Sequence, residues 1–321
     1  MTNNNVLKGV FLVGLGATSY GMLATFVKMA YSEGYTTAEV TSSQFVFGII
    51  GILIINAFQR NRNNNSALKA SKKNIKQLML AGTSTGLTSI FYYLAVKFDI
   101  PVSIAIVLLM QTVWIGVLLE WFLEKKVPNT VKIISVIIVL IGTAFATNLI
   151  NSDIKLNPLG LFFGMLAAVS FTTTMFTANR VATEISSAQR SLYMLLGGGI
   201  MVLIFTLLTQ IIPNQSPMMA DALGVFSTAK DFDFGIFLKW GIILSLFGTI
   251  IPPMLLNAGF PLTGIGLGSI VSSLELPVSV LMAYFLLQEQ VLFIQWIGIL
   301  LIILAIVIMN LNFKKKEVSV Q

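Results

Sequence analysis

Ten apolar stretches of about twenty residues each, separated by short polar or charged links, occupy most of this chain. A helix rises about 1.5 Å per residue and the hydrocarbon core of a bilayer is about 30 Å thick, so a stretch of that length crosses a membrane once. The stretches lie near residues 9–31, 37–58, 77–98, 101–123, 130–149, 158–179, 188–211, 235–258, 263–288 and 291–312. Hydrophobic residues make up 56% of the chain and charged ones 10%, against roughly 25% charged in ordinary soluble domains. The expectation is an all-α polytopic membrane protein with ten transmembrane helices. The first stretch is too long for the apolar core of a cleaved leader and lacks a small-residue cleavage site, so it is read as a helix.

The polar residues exclude much chemistry. There is no Cys and no His among the 321 residues, which removes thiol nucleophiles, His-based triads and nearly every zinc site. No metal or other cofactor is expected, and no nucleotide-binding P-loop is present. The net charge of +7 fits an orientation signal better than a nucleic-acid surface, because the cations segregate. With both termini cytoplasmic, fifteen Lys and Arg fall on the inner side or its edge, among them Lys8, Lys69, Lys72, Lys73, Lys76, Lys125, Lys126, Lys132, Arg180, Arg190 and Lys314 to Lys316. Only Lys28, Lys97, Lys155, Lys230 and Lys239 fall outside. A span count wrong by one would mix the two sets. Trp121 and Trp240 lie toward span ends, as interface aromatics do.

An internal repeat organises the spans. Residues 95–147 give a short link with Pro101, a long apolar span, a charged turn at Glu124-Lys125-Lys126 and a β-branched span containing Gly142. Residues 258–310 give the same series with Pro261 and the turn Gln288-Glu289-Gln290. An offset of 163 to 165 residues superimposes them. Five spans per half is odd, so the second half enters the membrane from the opposite side, the inverted-repeat arrangement of many transporters. The expected division is a first five-helix repeat over 1–149, an external linker over 150–157, a second repeat over 158–312 and a basic cytoplasmic tail over 313–321.

These residues also carry a resemblance. Ala178-Asn179-Arg180, Phe247-Gly248-Thr249, Leu274-Glu275-Leu276-Pro277-Val278, Leu287-Gln288-Glu289 and Gln295-Trp296-Ile297-Gly298, in this order and spacing, resemble the drug/metabolite transporter superfamily, EamA type. The similarity covers nearly the whole chain and implies two five-helix repeats. Tyr20-Gly21 stands where members usually have Trp-Gly, Gln44 where an Arg is common, and no proline in the first repeat matches Pro277. The family's solutes range over amino acids, metabolites, nucleotide sugars and drugs, so the resemblance does not name one.

One carboxylate falls deep in an apolar span. Glu275 lies about 12 residues into the ninth stretch, about 18 Å from its start, and lipid opposes such a group by several kcal/mol unless it faces a cavity or a partner. It is expected to line a central cavity, binding a substrate amine or exchanging a proton, the alternative being a buried carboxyl that only bridges helices. Residues three, four and seven apart share a helix face, which groups Ser272 with Glu275. The repeat offset maps Glu275 to 110–112, making Gln111 and Thr112 candidates across the cavity. Tyr92, aligned with Thr85 and Ser89, is a further candidate because an aromatic with a polar tip suits an apolar pocket. Lys28 is read as snorkelling to water at its span end, and Glu39, Glu120 and Glu289 as solvated at span ends. Gly197-Gly198-Gly199 and Pro252-Pro253 are read as interrupting the seventh and eighth spans, for static packing or for gating.

The expected function is secondary transport, as exporter or permease, of a small metabolite such as an amino acid, by alternating access, with Glu275 as the coupling group if protons drive it. The expected location is the plasma (bacterial-type inner) membrane, with a small-molecule solute and membrane lipid as partners, no nucleic acid, and a homodimer left open. A receptor or scaffold of the same fold is the alternative. An intramembrane enzyme is less favoured, since the one deep acid has no evident catalytic partner and His and Cys are missing.

Overall fold

The computed structural model describes residues 3–62, 70–98, 100, 102–125, 127–148, 157–228, 230–288 and 290–318, and every regular element among them is helical. Pro101, Lys69, Lys126, Lys155, Glu289 and Asn63 to Asn65 lie outside the described residues. Three long helices open the chain: α1 (Asn3–Ser32), α2 (Thr37–Arg62) and α3 (Lys72–Lys97). The fourth span is two pieces, α4 (Val102–Leu109) and α5 (Thr112–Glu124), followed by α6 (Thr130–Ala146), α7 (Pro158–Arg180) and α8 (Ser187–Thr206). A π-helical turn, Leu207–Ile211, carries α8 into α9 (Ile212–Gln215), and α10 (Pro217–Leu223) forms part of the long connection that follows. The eighth span runs through two π-helical turns, Phe237–Gly241 and Leu246–Ile250, which flank α11 (Ile242–Ser245) and lead into α12 (Ile251–Thr263). The chain ends with α13 (Ile265–Ser272), α14 (Glu275–Leu287) and α15 (Phe293–Val318).

Local sequence sets several helix starts. Ser71, Asn129 and Ser186 are extended N-caps whose side chains accept from the amides of Asn74, Lys132 and Gln189, and Asn157 caps α7 ahead of Pro158. Each satisfies an amide that the first turn leaves without a helical partner.

The repeat is visible residue by residue. The starts of α13, α14 and α15 follow those of α4, α5 and α6 by 163 residues each (102 to 265, 112 to 275, 130 to 293). α5 and α14 are both 13 residues long and both end on a left-handed residue, Lys125 at φ 56° and Gln288 at φ 54°. The fourth and ninth spans are each broken near the middle, between α4 and α5 and between α13 and α14. The breaks are tightened turns, with Gln111 donating to the Leu108 carbonyl at 3.1 Å and Leu274 to the Val271 carbonyl at 3.1 Å. Pro277 sits in the first turn of α14, where a missing amide does no harm. The first repeat breaks at the same register without a proline, so Pro277 alone does not cause the break.

The surface is as apolar as a lipid-facing surface must be. Phe11, Phe58, Leu80, Phe162, Leu203 and Leu300 are exposed, far more apolar area than soluble monomers present. Seven helical segments are long and apolar enough to cross a membrane, accompanied by the shorter apolar segments Thr130–Ala146 and Phe293–Met309.

Close approaches are made through glycines. α8 runs unbroken through Gly197 to Gly199, contrary to the expected interruption. Gly197 lies against the backbone of Met79, and Gly82 and Gly86 of α3 lie against the backbones of Met194 and Gly198. A methyl group at any of these positions would overlap main-chain atoms, so the glycines serve packing, as small residues do in membrane helices. Pro252 and Pro253 form the first turn of α12, directly after the second π-helical turn, rather than interrupting it.

Two charged residues are more deeply buried than residues at span ends usually are. Arg190, expected at the cytoplasmic edge, is 1% exposed. Its guanidinium donates to the carbonyls of Thr177 (3.1 Å), Ala178 (2.5 Å) and Val181 (3.0 Å) at the end of α7, and to that of Asn257 (2.5 Å) in α12. The last carbonyls of a helix carry partial negative charge and have no helical partner, which is why a cation is stable there.

Glu39, expected to be solvated, is wholly buried. It accepts from the amides of Thr36 (2.7 Å) and Asp233 (2.8 Å) and from Gln210 Nε2 (2.8 Å), with Lys230 Nζ 3.5 Å away. The cluster ties α2 to the end of the α8 span and to the segment before α11. Glu39→Ala orphans the amides of Thr36 and Asp233, while Gln210 Nε2 and Lys230 Nζ keep backbone carbonyls as acceptors, and the expected result is a loss of about 2–3 kcal/mol, read as a lower unfolding midpoint in detergent. At the same end Lys239, 2.8 Å away, and the indole of Trp240 hold the Glu33 carboxyl below the usual carboxylate range. That contact contributes above the ordinary carboxylate pKa and is lost as pH falls through the lowered one.

Candidate functional site

A cavity of about 80 Å³ lies between α1, α2, α3 and α7, with Glu275 and the π-helical turn at Gly248-Thr249 closing its far side. A single water needs roughly 10–15 Å³ by the same measure, so the space holds several waters or a small polar group. Along α1 it reaches from Tyr20 to Lys28 and Tyr31.

Glu275 enters the cavity because the ninth span breaks at Ser273-Leu274 and restarts on this residue. It is 8% exposed, and its Oε2 is buried without a hydrogen-bond partner among the described residues. Gly21 supports the geometry. It lies directly against the Glu275 carbonyl, and any side chain there would push α1 off the break.

Two further orphaned groups face the same space. The Thr85 Oγ1 and the Tyr92 hydroxyl, both on α3, are buried without a partner among the described residues, and both residues line the cavity. Folded proteins pair nearly all buried polar atoms, since leaving one unpaired costs about 1–3 kcal/mol. Three such atoms lie around this one cavity.

The remaining wall is aromatic and rigid. Tyr20 packs edge-on against Phe171 (centroids 5.8 Å apart), and Tyr92 against Tyr93 (5.7 Å). The Tyr93 hydroxyl is used internally, donating to Gln44 Oε1 at 3.2 Å, while Thr249 Oγ1 donates to the Gln44 carbonyl at 2.9 Å. Gln44 and Phe247-Gly248-Thr249 thus form one joint, with Gly248 in contact with the Gln44 amide. A smaller void of about 10 Å³ continues past Tyr20, Thr85 and Thr174 toward Asn257 and Phe260, so these first three residues partition the two spaces.

Glu275 and Tyr92 of the sequence candidates are brought together here, with Thr85 and Ser89 from the same α3 face. Gln111 is not among the lining residues. Its Nε2 donates to the Val107 carbonyl at 3.0 Å and its Oε1 accepts from Trp114 Nε1 at 2.8 Å, within its own span. Thr112, the position that the 163-residue offset pairs with Glu275, is buried with its hydroxyl unpartnered, outside the lining. Ser272 is buried away from the cavity, donating to the Gly268 carbonyl at 2.9 Å. Lys28 lines the cavity's outer end rather than only marking a span end. Glu120 is paired with Lys132 and mostly buried.

Sequence reasoning missed Tyr20, Tyr31 and Gln44 as cavity residues, although Tyr20 and Gln44 stood out as departures from the family pattern. Among the described residues, no group of three or more acidic side chains could hold a metal ion.

The all-helical bundle with its apolar surface is thus built from two matching halves and encloses part of a small cavity bordered by polar atoms. The family model of the EamA-like transporter family matches residues 7–148 and 158–311, one match per repeat. The chain belongs to that family. A solved crystal structure, described only as that of a protein, is similar with a TM-score of 0.70 at 14% identity, covering 96% of each chain, and shows the fold alone. No curated protein matches the chain.

Proposed function

We propose that this protein is a secondary transporter that carries a small metabolite, such as an amino acid or related compound, through the cavity beside Glu275 by alternating access. The observation that carries the reading is the convergence of three orphaned polar atoms, on Glu275, Tyr92 and Thr85, around one cavity. An amine or hydroxyl on a small solute supplies the donors and acceptors that the protein withholds. Glu275 is the coupling group: its carboxylate receives a proton or a cationic solute, and both cannot occupy it together. The aromatic wall suits a solute with an apolar part.

The proposed topology has ten crossings, with α3, α6 and α15 crossing in addition to the seven segments of sufficient length. Both termini are cytoplasmic in a bacterial-type inner membrane. Contacts between connections support this arrangement, since each joins segments assigned to one side. Arg180 pairs with Glu124 at 2.8 Å and Asn74 with Glu184 at 2.8 Å on the inner side. On the outer side Lys97 donates to the Phe226 carbonyl at 3.3 Å.

The test uses purified protein in liposomes loaded with a mixed pool of small metabolites, read by mass spectrometry on both sides of the membrane. The expected result is redistribution of one unchanged solute class, absent from protein-free vesicles. A chemically altered product would make the protein an enzyme, and binding without flux would make it a receptor.

A further inference from the structure

Away from the central cavity, a groove of about 500 Å³ runs along the outer face of α3 and α8, lined by Lys72, Ile75, Lys76, Met79, Leu80, Thr83, Gly197 and Ile200. Its floor exists because Gly197 has no side chain and seats directly on the α3 backbone at Met79. Leu80 and Ile200 on its walls are 72% and 49% exposed, so no other helix covers it. Lys72, Lys76, Leu80 and Thr83 lie three or four residues apart and share one face, which puts both ammonium groups at one end of an otherwise apolar trough.

That end is the start of α3, whose first turn contains no acidic residue. Among the described residues, neither Lys72 nor Lys76 is paired with a carboxylate; the nearby Glu184 is engaged by Asn74 at 2.8 Å. An apolar trough of acyl-chain width, capped at interfacial height by two unpaired lysines, is complementary to one molecule of the surrounding membrane. We propose that the α3–α8 groove is a specific binding site for an anionic phospholipid. One acyl chain lies along Met79, Leu80 and Ile200, and the phosphate-bearing headgroup sits between Lys72 and Lys76. Charge complementarity selects the headgroup, and basic residues flanking interhelical grooves act in this way. The lipid also splints α3, which carries Thr85 and Tyr92, against α8.

The test reconstitutes the full chain into vesicles of equal parts phosphatidylcholine and phosphatidylglycerol, releases it in mild detergent and counts retained lipids by native mass spectrometry. Wild-type protein should retain one phosphatidylglycerol in about tenfold preference over phosphatidylcholine. Lys72→Gln/Lys76→Gln should bring that ratio to near one, while Lys8→Gln/Lys125→Gln, which removes the same charge elsewhere on the inner edge, should leave it unchanged. Equal retention of both lipids by wild type would overturn the proposal, a result that needs no variant to fold. So would an equal loss of selectivity in the control pair, which would assign the preference to net charge.

Discussion

Glu275→Gln flattens the pH profile of transport and lowers the flux by about 10- to 100-fold, the factor expected when a charge-assisted hydrogen bond worth about 1.5–3 kcal/mol is lost. The amide has nearly the shape of the acid and keeps a hydrogen-bonding end in the cavity, so the bundle folds. What it cannot do is gain or lose a proton, or offer a negative charge to an amine. Initial rates of solute movement in proteoliposomes, taken across a series of pH values, check both parts. An unchanged rate and profile would remove Glu275 from the mechanism and leave its buried carboxylate a structural feature.

The largest effect on stability is expected at Arg190. Arg190→Met keeps much of the apolar stem but removes the guanidinium donors that serve the carbonyls of Thr177, Ala178, Val181 and Asn257. Thr177 keeps the Val181 amide as a partner at 3.0 Å, and the other three oxygens lose their guanidinium donors where α7, α8 and α12 meet. The expected loss is about 3–6 kcal/mol, from the penalty on orphaned buried acceptors and the comparable figure for breaking a buried charged contact. Thermal unfolding in detergent should show a midpoint well below that of wild type, and well below that of Glu39→Ala. Lysine in place of Arg190 should recover only part of the loss, because a single ammonium cannot span carbonyls from two helices as a planar guanidinium does. A wild-type midpoint for Arg190→Met would show that water or backbone adjustment replaces the guanidinium.

The large pattern of this fold was legible in the sequence because it rests on length and repetition. The offset near 163 residues was readable from the turns at Glu124-Lys125-Lys126 and Gln288-Glu289-Gln290 and from span lengths, and the helix boundaries fix it at 163. Glu275 was legible for a related reason: a lone acid in an apolar run is expensive in lipid, so its position alone argues for a cavity.

What remained hidden was facing. In a soluble protein the apolar stripe of a helix marks its inner side, but here lipid and protein interior are equally apolar and the stripe disappears. Nothing in the residues around Gln111 says that its side chain turns back onto Val107 and Trp114, and pseudo-symmetry suggested the opposite. Ser272 shares a helical face with Glu275 only if the span is continuous. The break at Ser273-Leu274 destroys that register. Arg190 looked like any inner-edge cation, because the carbonyls that hold it belong to residues 9 to 67 positions away. Tyr20 and Gln44 could have been found by taking a departure from the family pattern as a sign of a tuned position.

The central claim is that Glu275 borders an aqueous space, and the chain offers a direct way to test it, since with no native cysteine every introduced thiol is unique. Glu275→Cys and Ser89→Cys place a thiol on the cavity wall, and Ser135→Cys places one at a fully buried position on α6 outside it. The account predicts that a small membrane-impermeant thiol reagent modifies the thiols at 275 and 89 in intact vesicles, and leaves the one at 135 untouched. Labelling at 275 and 89 no faster than at 135, with the exposed Ala222→Cys reacting normally, would contradict it.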